Sequence, residues 1–328
     1  MGKLACCARS MCQCLQTLLP GLRRSFPGSV YLCGGRGSDG SELAKVTCLE
    51  LTSRSWAPVT PMIARRCGAA AGVVAGMIYV CGGSVTPFSL EDDEDDVMLA
   101  SAERLRPGAS EWEALPEMQL ARDGASAGVL GGKLYICGGR ASSDLCLSSI
   151  ERFDPKAHLW EGWGVLPLMS QQRVCLAAAA LDGALYVIGG RDAASYSAER
   201  LFPNRDHVAW QQLPPLHRPR WSASACSLGG HLYVCGGILN APHLELLNSV
   251  ERFCPQTYLW EEVTYMGMQR ARLAATAGLG QLLCFGGSGE NELSNQTAET
   301  YDTESNTWSP LPVLLEPCEF AVAVVVHG

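Results

Sequence analysis

Arginines recur at two fixed positions along this 328-residue chain, and a guanidinium group is suited to binding carboxylates because it pairs with them bidentately. The first set stands ten residues before a recurring glycine and comprises Arg66, Arg122, Arg173, Arg220 and Arg270. The second set directly follows a pair of glycines and comprises Arg36, Arg140 and Arg191. Both sets predict a binding site for an acidic segment of a partner protein.

The first set also has a structural interpretation. Each of its arginines shares a repeat unit with one glutamate, and these glutamates are Glu103, Glu151, Glu199, Glu251 and Glu299. In the remaining unit Cys318 replaces the arginine and Thr47 replaces the glutamate. A buried ion pair inside each unit would explain this joint absence. The arginines after the glycine pairs are less tied to the scaffold and are the better contact candidates, with solvated loop arginines as the alternative.

An acidic run interrupts the second unit, which has 30 residues between Gly82 and Trp112 where three other units have 22. The run consists of Glu91, Asp92, Asp93, Glu94, Asp95 and Asp96. Three interpretations are open: a docking segment for a basic partner, an internal competitor for acidic ligands of the arginines, or a solvated loop.

Six repeat units, each about 50 residues long, position these side chains. An apolar, β-rich run in each unit ends in a glycine pair, and the pairs begin at Gly34, Gly82, Gly138, Gly189, Gly236 and Gly286. A glycine six residues before each pair marks a tight hairpin turn. A tryptophan marks the later part of each unit, at Trp56, Trp112, Trp160, Trp210, Trp260 and Trp308.

The markers follow one order: a glycine pair, then a Glu-Arg-aromatic segment, then a tryptophan, as in Glu151-Arg152-Phe153 before Trp160. This order resembles the kelch repeat, and the resemblance covers residues 29–328. The resemblance implies an all-β fold, a six-bladed β-propeller of four-stranded antiparallel blades. We label the strands A to D from the central channel outward. In BTB-kelch adaptor proteins, which this chain resembles, one face of the propeller receives acidic or phosphorylated segments of client proteins.

The register also predicts how the ring closes. The first unit begins with strand B at residues 29–33, and an orphan strand at residues 320–326 is expected to complete the first blade and remove an exposed sheet edge. The start of strand A and the residues after the glycine pair lie at one end of each hairpin. We call this end of the propeller the loop face, and all eight arginines are expected there.

Composition excludes several classes of function. The net charge is −8 and only 18% of residues are charged, so nucleic acid is not an expected partner. Residues 67–90 carry no charge and are long enough for a membrane span. The repeat register assigns them to strands A and B and a following loop, so no transmembrane span is expected.

No metal, cofactor or catalytic set is expected. The cysteines that precede glycine pairs are replaced by Ile188 and Phe285 in other units, which predicts packing; they are Cys33, Cys81, Cys137 and Cys235. The six histidines are scattered, and no nucleophile, base and orienting group occur together. The predicted function is a protein-interaction scaffold or substrate-recognition adaptor and not an enzyme. The alternative is a propeller enzyme acting on a small sugar or similar ligand.

Residues 1–28 lie outside the repeats and contain basic but no acidic residues. Gly2 fits N-myristoylation, but Cys6 stands where the motif requires Ser or Thr. An organelle-targeting peptide and a disordered tail are the other interpretations, and the expected location is cytoplasmic. The segment is too short for a BTB or F-box domain, so a ubiquitin-ligase association follows from the family resemblance alone.

Overall fold

Six four-stranded antiparallel sheets contain nearly all of the regular structure. The computed structural model describes residues 28–85, 97–162, 164–203, 208–240, 244–289 and 294–327. In each sheet the strands lie in the order A, B, C, D, and each sheet is one blade. The prediction of an all-β, six-bladed propeller is confirmed.

The strand bounds follow the repeat. The A strands are β26 (Val322–His327), β4 (Ala70–Val74), β8 (Ser126–Leu130), β12 (Ala177–Leu181), β16 (Ser224–Leu228) and β22 (Ala274–Gly278). The B strands are β1 (Gly28–Cys33), β5 (Met77–Cys81), β9 (Lys133–Cys137), β13 (Ala184–Ile188), β17 (His231–Cys235) and β23 (Gln281–Phe285). The C strands are β2 (Val46–Glu50), β6 (Ala102–Leu105), β10 (Ile150–Asp154), β14 (Ala198–Leu201), β20 (Val250–Cys254) and β24 (Ala298–Asp302). The D strands are β3 (Ser55–Val59), β7 (Glu113–Leu115), β11 (Leu159–Glu161), β15 (Trp210–Gln212), β21 (Leu259–Val263) and β25 (Thr307–Pro310). A two-stranded ribbon, β18 (Ile238–Leu239) and β19 (Glu245–Leu246), extends from the fifth blade.

The glycines of the repeat serve two different purposes. Between β4 and β5 the turn residues Ala75 and Gly76 have φ values of 50° and 76°, the left-handed pair that a tight hairpin turn requires. At Gly82 the backbone of the next blade comes so close that a Cβ would lie 2.5 Å from the Arg122 carbonyl oxygen. The first kind of glycine shapes one blade, and the second lets two blades touch.

The last strand closes the ring as predicted. β26 pairs with β1 from Gly28↔His327 to Cys33↔Val322, so the first blade combines both ends of the repeat region. The strand begins at Val322 and not at Phe320, because Phe320 has a φ of 55° and cannot continue a strand. Gly68 has the same conformation (φ 63°), which is why β4 begins at Ala70.

The six repeat tryptophans join neighbouring blades. Each indole N–H donates a hydrogen bond to a carbonyl oxygen in the segment that leaves strand D of the preceding blade; for Trp112 the acceptor is Thr60, at 3.0 Å, and for Trp160 it is Pro116, at 2.8 Å. The other four pairs are Trp56–Pro312, Trp210–Pro167, Trp260–Pro214 and Trp308–Thr264. A buried indole needs such a partner.

The uncharged stretch of residues 67–90 contains β4, β5 and their turn in its described part, residues 67–85. Over the ranges that the structure describes, no helix has the length and apolar character needed to cross a membrane. Of the predicted tail at residues 1–28, only Gly28 falls within those ranges, and it is the first residue of β1.

Candidate functional site

The five arginines that precede the A strands form ion pairs inside their own blades. In the third blade Arg122 Nη2 lies 2.9 Å from Glu151 Oε1, and neither side chain is exposed. Arg122 Nη1 also donates to the carbonyl oxygens of Gly138 and Ser149, and Nη2 to the Ser149 hydroxyl. The other pairs, at 2.7 to 3.0 Å, are Arg66–Glu103, Arg173–Glu199, Arg220–Glu251 and Arg270–Glu299.

This arrangement corrects the prediction that these five arginines contact a partner. All five are at most 1% exposed, so their guanidinium groups present no surface; they are Arg66, Arg122, Arg173, Arg220 and Arg270. Their charge is neutralised within the blade, as the structural interpretation required. Burial lowers the pKa of Arg173, while the charge of Glu199 opposes that shift.

A third member of each ion-pair cluster was missed from the sequence. It is a hydroxyl residue two positions before the glutamate, and the five are Ser101, Ser149, Ser197, Ser249 and Thr297. Each side chain accepts a hydrogen bond from arginine Nη2. The first unit has Lys45 at this position, so it lacks all three members of the cluster, and this triple absence is the signal that the sequence offered.

The glutamates also hold the linkers that connect one blade to the next. Glu103 accepts hydrogen bonds from the backbone N–H groups of Ile63, at 2.7 Å, and Ala64, at 3.3 Å, in the linker that enters its blade. Glu151 does the same for Gln119 and Leu120. Each cluster therefore anchors part of the loop face, although it contributes no exposed charge.

Of the three arginines that follow a glycine pair, Arg140 is also part of the scaffold. Arg140 is 8% exposed, and its Nε lies 3.1 Å from Asp123 Oδ2. The two residues also form an antiparallel bridge through their backbones. The prediction that Arg140 contacts a partner is therefore corrected, because a buried carboxylate already pairs with it. Asp123, which directly follows Arg122, was missed.

Arg36 and Arg191 remain partly accessible on the loop face. Arg36 lies over the ring of Phe320, with its Cζ 5.6 Å from the ring centroid, and Arg191 lies over Trp221 at 5.8 Å. Within the described ranges, Nε and Nη2 of Arg36 are buried but make no hydrogen bond. These two arginines keep donor capacity, and they are the sequence-predicted residues that the structure leaves as contact candidates.

A closed ring of backbone hydrogen bonds surrounds the channel on the loop face. It passes once through every blade, and each N–H donates to the carbonyl oxygen of the preceding member at 2.7 to 3.2 Å. Its members, which we call the backbone ring, are Gly68, Gly124, Cys175, Ser222, Arg272 and Phe320. All six have positive φ values, between 51° and 63°. Each of the first five stands eight residues before the turn glycine of its unit, and Phe320 stands eight residues before Gly328. This spacing could have been found in the sequence.

The ring brings Arg272 and Phe320 to the mouth of the channel, and neither was predicted as a site residue. Arg272 lies over the same Phe320 ring as Arg36, with its Cζ 4.9 Å from the ring centroid. Its Nη1 is 3.6 Å from a carboxylate oxygen of Glu319. Arg272 Nε is buried and makes no hydrogen bond to any described residue. Arg36, Arg191 and Arg272 together form the basic mouth of the channel.

The buried cysteines are packing residues. Cys81 and Cys137 are at most 1% exposed, and burial raises the pKa of each thiol to about 12. In the described part of the chain, no three His, Cys, Asp or Glu side chains come together as a metal site. The acidic run from Glu91 to Asp96 lies outside the described residues.

Comparison with known proteins gives the family. The family model described as the KLHDC2/KLHL20/DRC7 Kelch-repeats domain matches residues 68–270, and a Kelch motif model matches residues 269–312. A structure titled "Structure of YjhT" superimposes with a TM-score of 0.69 over 87% of this chain and 94% of that one. At 15% sequence identity this likeness shows the fold alone.

Curated relatives agree with the family model. Kelch-like protein 36 of Bos taurus is 26% identical over 90% of this chain, and Kelch-like protein 33 of Homo sapiens is 35% identical over 40% of it. Kelch repeat and BTB domain-containing protein 12 of Homo sapiens is 25% identical over 51%. The matched regions span 48%, 23% and 29% of these relatives' own lengths. This chain belongs to the kelch-repeat family.

Proposed function

We propose that this chain is a protein-interaction module that binds an acidic segment of a partner protein on its loop face, with Arg36, Arg191 and Arg272 as the contacts. The observation that carries the proposal is the unused donor capacity of the basic mouth. Arg36 and Arg272 have guanidinium nitrogens without hydrogen bonds among the described residues. Each of the five interior arginines is ion-paired with a glutamate; Nε of Arg66 and Nε of Arg220 also lack a hydrogen bond, but these side chains are at most 1% exposed and present no surface to a partner. A carboxylate supplies the acceptors that such nitrogens need.

Apolar side chains on the same face support a protein as the ligand. The loops that join strands B and C of four successive blades each expose one large apolar residue, by 49% to 67% of its surface: Val97, Leu145, Tyr196 and Leu244. A basic centre bordered by apolar and aromatic side chains is suited to an extended peptide segment carrying both acidic and apolar residues.

The family supports the same class of function. Kelch-repeat proteins are typically protein-interaction or substrate-adaptor modules, and the curated relatives are named Kelch-like proteins. We include in the proposal a cytoplasmic location and an association with ubiquitin-ligase machinery, which rest on the family alone.

Affinity capture with a matched pair of triple variants tests the proposal. The test variant removes three positive charges from the basic mouth by the substitutions Arg36→Gln, Arg191→Gln and Arg272→Gln. The control variant removes three positive charges from the exposed turns between strands C and D, on the opposite face, by the substitutions Arg54→Gln, Arg106→Gln and Lys156→Gln. We expect the first variant to lose the partners recovered with the wild type and the second to keep them, with wild-type binding weakened by salt. Co-purification of ubiquitin-ligase subunits would support the ubiquitin-ligase association.

Equal recovery of partners by the two variants and the wild type would show that the basic mouth is not the binding site. Loss of partners with the opposite-face variant alone would move the site to the turns between strands C and D. None of the six substituted side chains belongs to an ion pair of the blade interior, so we expect both variants to fold. Circular dichroism of both variants checks this.

A further inference from the structure

We propose that the junction of the fourth and fifth blades contains a second binding site, which takes a glutamate side chain of a partner protein. Arg200 is the central residue of this site, and the rings of Phe202 and Tyr258 form its walls. The three residues belong to strand C and to the turns between strands C and D, away from the loop face. The proposal therefore goes beyond the proposed function and can be tested separately from it.

A tyrosine on strand B and an arginine on strand C are cross-strand neighbours in four blades, and in three of these blades a glutamate follows on strand D. In the second blade the set is Tyr79, Arg104 and Glu113, and Arg104 Nη2 lies 2.7 Å from Glu113 Oε2. The sets of the third and fifth blades, each with its own ion pair, are Tyr135–Arg152–Glu161 and Tyr233–Arg252–Glu261. Residues that oppose each other in the register share one face of the sheet, so each set brings a carboxylate to its arginine.

The fourth blade has the tyrosine and the arginine but not the carboxylate. Tyr186 and Arg200 are neighbours as in the other blades, and Gln211 stands at the position of the glutamate. Gln211 Oε1 accepts a hydrogen bond from Arg200 Nε at 3.2 Å, whereas the corresponding bonds from Arg104 and Arg252 to their glutamates measure 2.8 and 2.9 Å. No described residue brings a carboxylate within ion-pair distance of Arg200. Arg200 therefore keeps a charge that its own blade does not neutralise.

Two aromatic rings hold the guanidinium of Arg200, which is half-buried. Its Cζ lies 5.0 Å from the ring centroid of Phe202 and 5.2 Å from that of Tyr258. Tyr258 belongs to the fifth blade, and its hydroxyl donates a hydrogen bond to the Gln212 carbonyl oxygen of the fourth blade at 2.7 Å, so this ring bridges the two blades. Among the described rings, none lies over the strand C arginines of the other three blades in this way. The arginine without a carboxylate is thus also the one that aromatic rings hold in place.

The other three blades indicate which ligand fits. In each of them the arginine at this position binds the carboxylate of a glutamate, and Arg200 offers the same planar donor group without that partner. A single guanidinium balances one negative charge, which favours a carboxylate over a phosphate group carrying almost two. Arginine and aromatic residues are also the types enriched at the centres of protein interfaces. The site therefore fits a glutamate on a surface segment of another protein.

NMR spectroscopy of the arginine Nε–H signals of the whole chain tests the site, with the synthetic peptide acetyl-Leu-Glu-Leu-amide as the probe. Arg200→Lys identifies the Arg200 signal by its disappearance. We expect this signal to shift saturably as the peptide is added, because the Nε–H belongs to the group that binds the carboxylate. The peptide acetyl-Leu-Gln-Leu-amide, which has the same shape without the charge, should bind at least tenfold more weakly, as expected when a charged hydrogen-bond partner is lost.

Two single substitutions form a matched pair. Gln211→Glu supplies the carboxylate that the other three blades have; it should keep the melting temperature of the wild type or raise it, since opposite charges across strands stabilise a sheet. The peptide should bind at Arg200 of this variant at least tenfold more weakly. Glu261→Gln removes the carboxylate from Arg252 in the fifth blade, where no described ring lies over the guanidinium. Arg252 of that variant should bind the peptide at least threefold more weakly than Arg200 of the wild type, because it lacks the aromatic walls.

Three results would overturn the proposal. Equal shifts of the Arg200 signal with the two peptides would show that no carboxylate is selected, and this comparison needs no variant to fold. Wild-type affinity in Gln211→Glu would mean that the peptide does not bind where the glutamates of the other blades lie. An equal response of Arg252 in Glu261→Gln would show that the aromatic walls contribute nothing. An intact Arg200 response together with partner capture that does not depend on the basic mouth would count only against the proposed function, and the opposite pair of results only against this second site.

Discussion

Arginine occurs in this protein in two environments that differ mainly in burial. Arg122 lies in the blade interior and is satisfied by Glu151, Ser149 and two carbonyl oxygens, whereas Arg36 lies at the channel mouth with two nitrogens unbonded among the described residues. A charge in the interior needs a paired countercharge, since removal of one partner leaves the other buried and uncompensated. The same side chain therefore serves as scaffold in one position and as a contact candidate in the other.

Glu151→Gln tests the scaffold role at the level of one residue. The change keeps the shape of the side chain but leaves Arg122 as an unpaired buried charge, and we expect the free energy of unfolding to fall by about 3–5 kcal/mol. Glu113→Gln is the matched control, because Glu113 pairs with Arg104 on the surface; its cost should stay below about 1 kcal/mol. Denaturant unfolding of both variants measures the difference. Similar small losses in both would contradict the scaffold role.

Thiol chemistry should follow burial and pKa. Burial raises the pKa of Cys137 to about 12, so at pH 8 this thiol stays protonated as well as inaccessible. A hydrogen bond from Thr257 lowers the pKa of the partly exposed Cys254, which increases its thiolate fraction at the same pH. Alkylation with iodoacetamide at pH 8, mapped by mass spectrometry, should therefore label Cys254 rapidly and Cys137 only after unfolding. Equal labelling of both in the native protein would contradict this expectation.

At the scale of the element, the first blade differs from the other five. It has Cys318, Lys45 and Thr47 where they have arginine, a hydroxyl residue and glutamate. A cavity lined by all three of these residues occupies the place of the ion-pair cluster, and Lys45 instead contacts Glu316 at the rim. In this blade β26 and β1 pair over six residues and supply a continuous ladder.

A double-mutant cycle tests whether the first blade keeps the geometry of the cluster. Thr47→Glu and Cys318→Arg should each lower the free energy of unfolding by about 1–3 kcal/mol, because each introduces an unpaired charge into a mostly buried site. The double variant should recover roughly 0.5–3 kcal/mol relative to the sum, as interacting residues do. Thermal and denaturant unfolding of the four proteins gives the coupling energy. Strict additivity would mean that the two positions do not meet in this blade.

At the scale of the whole molecule, two cyclic features hold the blades together. The first is closure of the sheet in blade one by β26, and the second is the backbone ring, in which every blade donates one hydrogen bond and accepts one. Phe320 belongs to the ring and precedes β26, so the last ten residues contribute to both features. Without β26 the first blade would present β1 as its edge strand and the backbone ring would be open.

Removal of residues 319–328 should therefore abolish cooperative unfolding, since it opens the ring and exposes the edge of β1. Removal of residues 327–328 alone is the control; it keeps the ladder between β1 and β26 from Ser29↔Val326 inward and should retain a sharp transition. Circular dichroism during thermal unfolding measures both. A sharp transition at an unchanged temperature in the longer truncation would show that closure by β26 is dispensable.

The sequence determined the fold because its markers recur within each blade. The glycine pair, the turn glycine and the tryptophan repeat in register, and a deviation in one unit is evident against the other five. The same register predicted closure by the last strand. One of its two interpretations of the interior arginines paired each with a glutamate, and the structure shows these pairs, including Arg66 and Glu103, which are 37 residues apart.

Exposure of the site residues was decided only by the tertiary structure. Arg36, Arg140 and Arg191 occupy the same position of the repeat, yet Asp123 pairs with Arg140, whereas Arg36 and Arg191 lie over aromatic rings. Sequence position gives the face of the propeller, but the partner of a side chain depends on which residues the neighbouring strand brings beside it. The backbone ring depends on all six blades at once, so it exists only after β26 has closed the propeller.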